Sequence, residues 1–129
     1  MRTFRIVKMI QLIADPISFF RELGGLHDAE IIRIAWDTEI QTITIDVDDL
    51  NSNFDGLPEY LGRRKAPIIF KDVENISLNC DAVKDDIQRI YSLKVSKNNQ
   101  ENKYCLMMRI SPSGRLNFDC EVINIMDVI

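Results

Sequence analysis

The chain has one histidine, one tryptophan and three cysteines among 129 residues. Each scarcity excludes something. A single histidine rules out a metal centre built on several imidazoles, a common donor set of catalytic zinc. Cys80, Cys105 and Cys120 are odd in number and show no CxxC spacing, which argues against a disulfide framework and against a zinc ribbon. Cys105 and Cys120 lie in apolar runs, where cysteine serves as a small hydrophobe. The expected setting is a reducing cytoplasm. Long apolar runs are missing too. "MIQLIADPISFF" is broken by Gln11 and Asp15, so neither a membrane span nor a secretory signal is expected. Met9 is a second candidate start. Basic runs are reduced to "RRK" at 63–65, and the net charge is −4. Nucleic acid, which is bound mainly by neutralising phosphates, is not an expected partner. There is no GxSxG, P-loop or GxGxxG.

What remains is an ordinary globular composition, 46% apolar and 28% charged. A chain of this size buries about two thirds of its unfolded surface. One domain over 1–129 is the simplest reading.

"DPISFFRELGG" is well punctuated for a helix. Asp15 suits the N-cap, Pro16 the first turn and Gly24 the C-terminal stop. Residues 3–13 fit either period and lean helical. From Ala29 the period falls to two. Ile32, Ile34 and Trp36, then Ile43, Ile45 and Val47, read as a hairpin around "DTEI". Residues 48–65 read as a long loop. "APIIFKDVENISLNC" gives two short strands, or one bent at 72–75. "DAVKDDIQRI" suits a short helix capped by Asp81. Tyr91, Leu93 and Val95 alternate. "YCLMMRI" and "RLNFDCEVINI" flank "SPSG" as a second hairpin. A switch of apolar parity after Val122 predicts a β-bulge. The expected fold is α+β: a mainly antiparallel sheet of six or seven strands with one or two short helices. Trp36, Tyr104 and Phe118 are expected in the core.

The candidate chemistry gathers at "GGLHDAEIIRIAWD", residues 24–37. Along an extended strand, His27 and Asp28 face opposite ways; only a turn at 26–28 would unite them. The hairpin register that joins Ile34 to Ile43 and Ile32 to Ile45 sets Glu30 opposite Val47 and Asp28 opposite Asp49. Arg33 then lies diagonal to Asp46. Asp28, Glu30 and Asp49 converge at the open end, and like charges facing each other destabilise a strand pair. The structural answer is a basic side chain, Arg63 or Arg64. The sharper one is a divalent cation as cofactor, because hard cations take oxygen ligands. "DLNSNFD", residues 49–55, begins like a calcium loop, but Phe54 stands where that loop needs glycine and Tyr60 where it needs glutamate. His27 is a candidate functional residue; its structural reading is a cap of backbone carbonyls.

"GGLHDAEIIRIAWDTEIQTITIDV" followed by "PIIFKDVENISL" resembles a loose group of small uncharacterised bacterial proteins with an LHDAxI hairpin motif. The resemblance covers residues 26–78. Some members are proposed as immunity proteins in toxin systems. It implies a compact α+β protein without established catalytic residues. The expected function is therefore a non-enzymatic, immunity-like module that binds another protein. The acidic loop of Asp46, Asp48, Asp49, Asp55 and Glu59 is its candidate partner surface. The alternative is a metal-dependent or acid–base enzyme using Asp28, Glu30, Asp49 and His27. A third reading is a homo-oligomer joined through an exposed sheet edge.

Overall fold

The computed structural model describes residues 8–128. Among the described residues nine strands form two antiparallel sheets. They are β1 (Lys8–Leu12), β2 (Ile31–Asp37), β3 (Thr42–Val47), β4 (Ala66–Lys71), β5 (Glu74–Asn79), β6 (Arg89–Asn98), β7 (Lys103–Ser111), β8 (Arg115–Cys120) and β9 (Val122–Val128). One helix, α1 (Pro16–Glu22), and two 3-10 turns complete the elements. The five-stranded sheet runs β1-β9-β4-β3-β2 and the four-stranded sheet β5-β8-β7-β6. The mainly antiparallel character matches the expectation; the strand count exceeds it.

Three stretches depart from the sequence reading. Residues 8–12 form a strand paired with β9, not a helix; residues 3–7 lie outside the described region. Residues 81–88 form no helix. Val83 and Ile87 are exposed there, so their helical spacing finds no surface to bury against, and Asp85 adopts a left-handed φ of 73°. Without tertiary packing a helix this short is unstable. The parity switch near Val122 is a change of sheet, not a bulge. β8 ends at Cys120 in one sheet and β9 starts at Val122 in the other.

That change of sheet is shared by two strands. β4 pairs with β9, with Lys71 opposite Val122. β5 pairs with β8, with Glu74 opposite Asp119. Both pairs belong to one antiparallel register, so a single two-stranded ribbon turns the corner between the sheets. Strands that switch sheets through a bend make such corners. Asp72 and Asn75 supply the bend with left-handed φ angles of 56° and 55°. Glu121 N–H donates to the Lys71 carbonyl at 3.1 Å. Asn75 Nδ2 donates to Asp119 Oδ2 at 2.8 Å.

The core lies between the sheets. Ile43, Ile45, Ile68, Phe70 and Ile123 face Leu93, Leu106, Met108, Leu116 and Phe118 across it. Phe70 and Phe118 meet edge to face, with ring centroids 5.1 Å apart. Phe20 of α1 is buried in the same cluster, and α1 packs beside β6. The Asp15 cap forms as expected, its side chain accepting from Ser18 N–H at 3.2 Å. Cys120 is buried, Cys105 half-buried and Cys80 exposed, all as free thiols. Burial, with Asp119 and Cys105 nearby, pushes the Cys120 thiol up to about 12. Trp36 corrects another expectation. It sits on β2, the strand at the edge of the five-stranded sheet, with 57% of its surface exposed.

Candidate functional site

Residues 23–30 carry the chain from α1 to β2 through a run of left-handed backbone. Gly24 and Gly25 take φ of 66° and 65°, Leu26 55° and Asp28 68°. The two glycines also permit close approach. A Cβ at Gly24 would fall 2.1 Å from the Asn53 side chain, and one at Gly25 3.0 Å from the Leu93 carbonyl. Leu26 and Ala29 are fully buried and anchor the turn. Asp28 N–H donates to the Ile90 carbonyl at 2.9 Å, and Ile90 N–H to the Ala29 carbonyl at 2.8 Å. Glu30 and Arg89 form an isolated antiparallel bridge. This segment therefore ties the β2 edge of one sheet to the β6 edge of the other.

The turn undoes the expected separation of His27 from Asp28. His27 Nε2 lies 3.5 Å from Asp28 Oδ1. His27 Nδ1 lies 2.7 Å from the Tyr91 carbonyl. A carbonyl only accepts, so Nδ1 carries the hydrogen. The Asp28 contact becomes an ion pair when Nε2 is also protonated. The Ser52 hydroxyl is committed to the backbone: its Oγ donates to the His27 carbonyl at 2.7 Å. The group is a solvent-exposed His–Asp pair without an activated hydroxyl.

The hairpin register also differs from the expected one. Asp37 pairs with Thr42, Trp36 with Ile43 and Ile34 with Ile45. Over residues 33–37 this is a slip of two residues, which leaves those side chains on their expected faces. Turn chemistry decides it. Asp37 Oδ1 accepts from Glu39 N–H at 3.0 Å, and Gln41 takes a left-handed φ of 51°. The same slip sets Arg33 directly opposite Asp46, paired at 3.0 Å, and a bulge between Ile31 and Arg33 then brings Ile31 opposite Val47. Glu30 meets Asp48 in place of Val47: Glu30 N–H donates to Asp48 Oδ1 at 2.7 Å.

The carboxylates that do gather line a cleft of about 390 Å³ with Ser52, Asn53 and Arg89. They are Asp28, Asp48, Asp49 and Asp55. Glu30 is not part of that lining. Arg89 on β6 supplies the basic group, donating from Nη1 to the Asp28 carbonyl at 3.1 Å. Arg63 donates to the Asp48 carbonyl at 3.3 Å. Arg64 contributes its backbone N–H to Asp49 Oδ1 at 3.0 Å. Of the two expected arginines, Arg63 thus brings its guanidinium to a backbone carbonyl of the cluster and Arg64 its backbone N–H to a carboxylate, while Arg89 is a third that the sequence did not point to.

Asp49 is the organising residue of the 49–64 loop. It is 6% exposed. Oδ1 accepts from Asn51 N–H at 2.9 Å as well as from Arg64, and Oδ2 accepts from the Tyr60 hydroxyl at 2.5 Å. Leu50 N–H donates to the Arg64 carbonyl at 2.8 Å, and Asn51 Nδ2 to the Gly62 carbonyl at 2.8 Å. The base of the loop is closed and its tip projects. Of the expected acidic surface, Asp46 is held by Arg33, Asp48 by Glu30 N–H, and Asp49 is interior; Asp55 and Glu59 are exposed. Among the described residues no three His, Cys, Asp or Glu side chains come together as a metal-holding group.

The Asp49 bond raises the Tyr60 hydroxyl from its ordinary 10.0 to about 12, with burial adding to the effect. Its stabilising effect is full below pH 10 and is lost as pH rises through about 12. In an alkaline titration followed by tyrosinate absorbance, Tyr60→Phe is expected to remove the highest-titrating tyrosine. Loss of a lower component would contradict the assignment.

The class defined by this fold is an antiparallel two-sheet sandwich with a side helix and a pinned surface loop. No family model matches the chain, and no curated protein matches it. Among solved structures it is similar to an uncharacterized protein from Neisseria gonorrhoeae, at 12% identity over 92% of this chain and 96% of that one, with a TM-score of 0.50. That likeness concerns the fold alone. Among the described residues no helix is long and apolar enough to cross a membrane.

Proposed function

We propose that the chain is a non-enzymatic module that binds another protein through the tip of the 49–64 loop. One observation carries this reading. Leu61 is 88% exposed and Leu57 51% exposed, beside exposed Asp55 and Glu59, on a loop whose base is closed by hydrogen bonds. Two leucines held in water by an ordered loop add little burial to folding, and a partner that covered them would gain that burial on binding. Apolar centres ringed by charge are the anatomy of protein interfaces. The carboxylates select a partner with a basic rim, and the net charge of −4 adds long-range attraction.

The resemblance over residues 26–78 gives this reading its specific form, an antidote to a basic toxin in the cytoplasm. The His27–Asp28 pair supports the enzymatic alternative less well, because Asp49 has both oxygens engaged and Ser52 is turned away.

A pull-down from the native host tests the proposal. Leu61→Asp is expected to abolish capture of the partner while leaving the melting temperature unchanged. Asp55→Asn with Glu59→Gln is expected to weaken capture at low salt and to flatten its salt dependence. Unchanged capture by both variants would refute the assignment of the loop.

A further inference from the structure

A second surface carries its own chemistry, independent of the loop. The outward faces of β7 and β8 place Arg109 directly opposite Arg115. The row continues to Ser92 on β6 and Asn79 on β5. Four strands therefore present two guanidiniums side by side with no carboxylate in the row. Side chains directly opposite on paired strands are about 5 Å apart at Cβ, and like charges there are destabilising. Neither arginine forms an ion pair among the described residues. The chain has 20 acidic residues against 16 basic ones, so carboxylates to neutralise the pair are plentiful in the sequence. Asp81 lines the same groove but forms no ion pair with either.

An aromatic ring stands beside the pair. The β6–β7 register shifts between Ile90 and Ser92, and this bulge leaves Ile90 buried and turns Tyr91 outward. Tyr91 is 53% exposed, and the Arg109 guanidinium lies 5.7 Å from its ring centroid. With Asn117 and Met107 these residues line an open groove of about 670 Å³. That is within the roughly 300–1,000 Å³ range of small-molecule sites.

We propose that this groove is a phosphate-binding site for a small phosphorylated molecule of nucleotide size, with Arg109 and Arg115 as the anion clamp and Tyr91 as the platform for its ring. Two guanidinium forks match the charge and geometry of a phosphate dianion, which relieves their mutual repulsion. Tyr91, braced by an edge contact with the His27 ring at 5.6 Å between centroids, offers its exposed surface to a planar ring, and the Asn79 and Asn117 amides offer donors and acceptors to its polar edge.

The test is calorimetry and thermal melting of the full chain with adenosine 5′-monophosphate, ribose 5-phosphate, inorganic phosphate and adenosine. Adenosine 5′-monophosphate is expected to bind at least about tenfold more tightly than either inorganic phosphate or adenosine, and to raise the melting temperature. Arg115→Gln is expected to lower that affinity at least about tenfold. Tyr91→Leu is expected to weaken the nucleotide and spare inorganic phosphate. Without ligand, Arg115→Gln is expected to melt no lower than the unsubstituted protein, because a repulsion has been removed. Four results would each overturn the proposal. They are no binding of any phosphate at millimolar concentration, unchanged affinity in Arg115→Gln, a lower ligand-free melting temperature in that variant, and far tighter binding of a single-stranded oligonucleotide than of the mononucleotide.

Discussion

Replacing Asp49 with alanine is expected to lower stability by about 2–4 kcal/mol and to release the 49–64 loop. The carboxylate accepts from Asn51 N–H, Arg64 N–H and the Tyr60 hydroxyl at 2.5–3.0 Å, and only 6% of its surface reaches water. Each bond to a charged acceptor contributes about 1.5–3 kcal/mol, while water entering the vacated space recovers part of that loss. Asp49→Asn is the instructive control. It keeps one oxygen for the two backbone donors and places an amide before Tyr60, whose hydroxyl can rotate to accept. Its expected cost is smaller, about 1–2 kcal/mol. Denaturant unfolding gives the two values, and amide exchange at Asn51 and Arg64 reports the loop directly. Equal costs for both variants would mean that the bonds depend on the ionised acceptor and that a neutral amide retains none of their value.

The same residue shows how far the sequence could be read. Asp49 belongs to a run of Asn, Asp and Ser whose oxygen spacing resembles the start of a calcium loop. That spacing also suits turns, and the turn reading prevails: Asp49 bonds the N–H two residues on, and residues 52–54 form a 3-10 turn. Its other partners, Tyr60 and Arg64, lie beyond local motifs, and no periodicity points to them. Arg89 was equally hidden. It reaches the site only because β6 of the second sheet runs beside residues 28–31, a contact between segments some sixty positions apart in the chain, as the Arg89–Asp28 bond shows at a separation of 61.

Local signals fared better where the chemistry was itself local. Asp15, Pro16 and Gly24 punctuate α1 much as expected. The "SPSG" turn joins β7 to β8, with Arg109 opposite Arg115 at the turn end. Over residues 33–37 the β2–β3 hairpin has the expected faces and a register displaced by two, since a period of two cannot distinguish slips of two. Alternation likewise located β8 and β9 but could not tell a bulge from a corner. Both invert parity; only the partner strand, β5 or β4, separates them. His27 and Asp28 were set apart by assuming extended backbone, and the left-handed φ of Asp28 brings them together.

Phe118→Ala is expected to have the largest effect of any single substitution, about 3–5 kcal/mol. Phe118 is 1% exposed at the centre of β8 and meets Phe70 of β4 edge to face at 5.1 Å. These two rings join the sheets close to the corner that the β4–β5 and β8–β9 ribbon turns. Removal of either leaves a void that rigid strands on both sides cannot close, so the cavity cost adds to the lost burial. For a domain with about 5–15 kcal/mol in all, one such loss takes a large share and lowers the melting temperature by roughly 10–20 °C. Phe118→Leu, which retains most of the volume, is expected to cost less than half as much. A double-mutant cycle of Phe70→Leu and Phe118→Leu isolates the ring pair, with an expected coupling of about 0.5–1.5 kcal/mol. Zero coupling would mean that the rings act as volume alone. Because Phe118 lies on the inner face of β8 and Arg115 and Asn117 project from the outer, Phe118→Leu should leave nucleotide affinity unchanged under conditions where the protein stays folded. The core and the outer groove thereby separate as two independent properties of one strand.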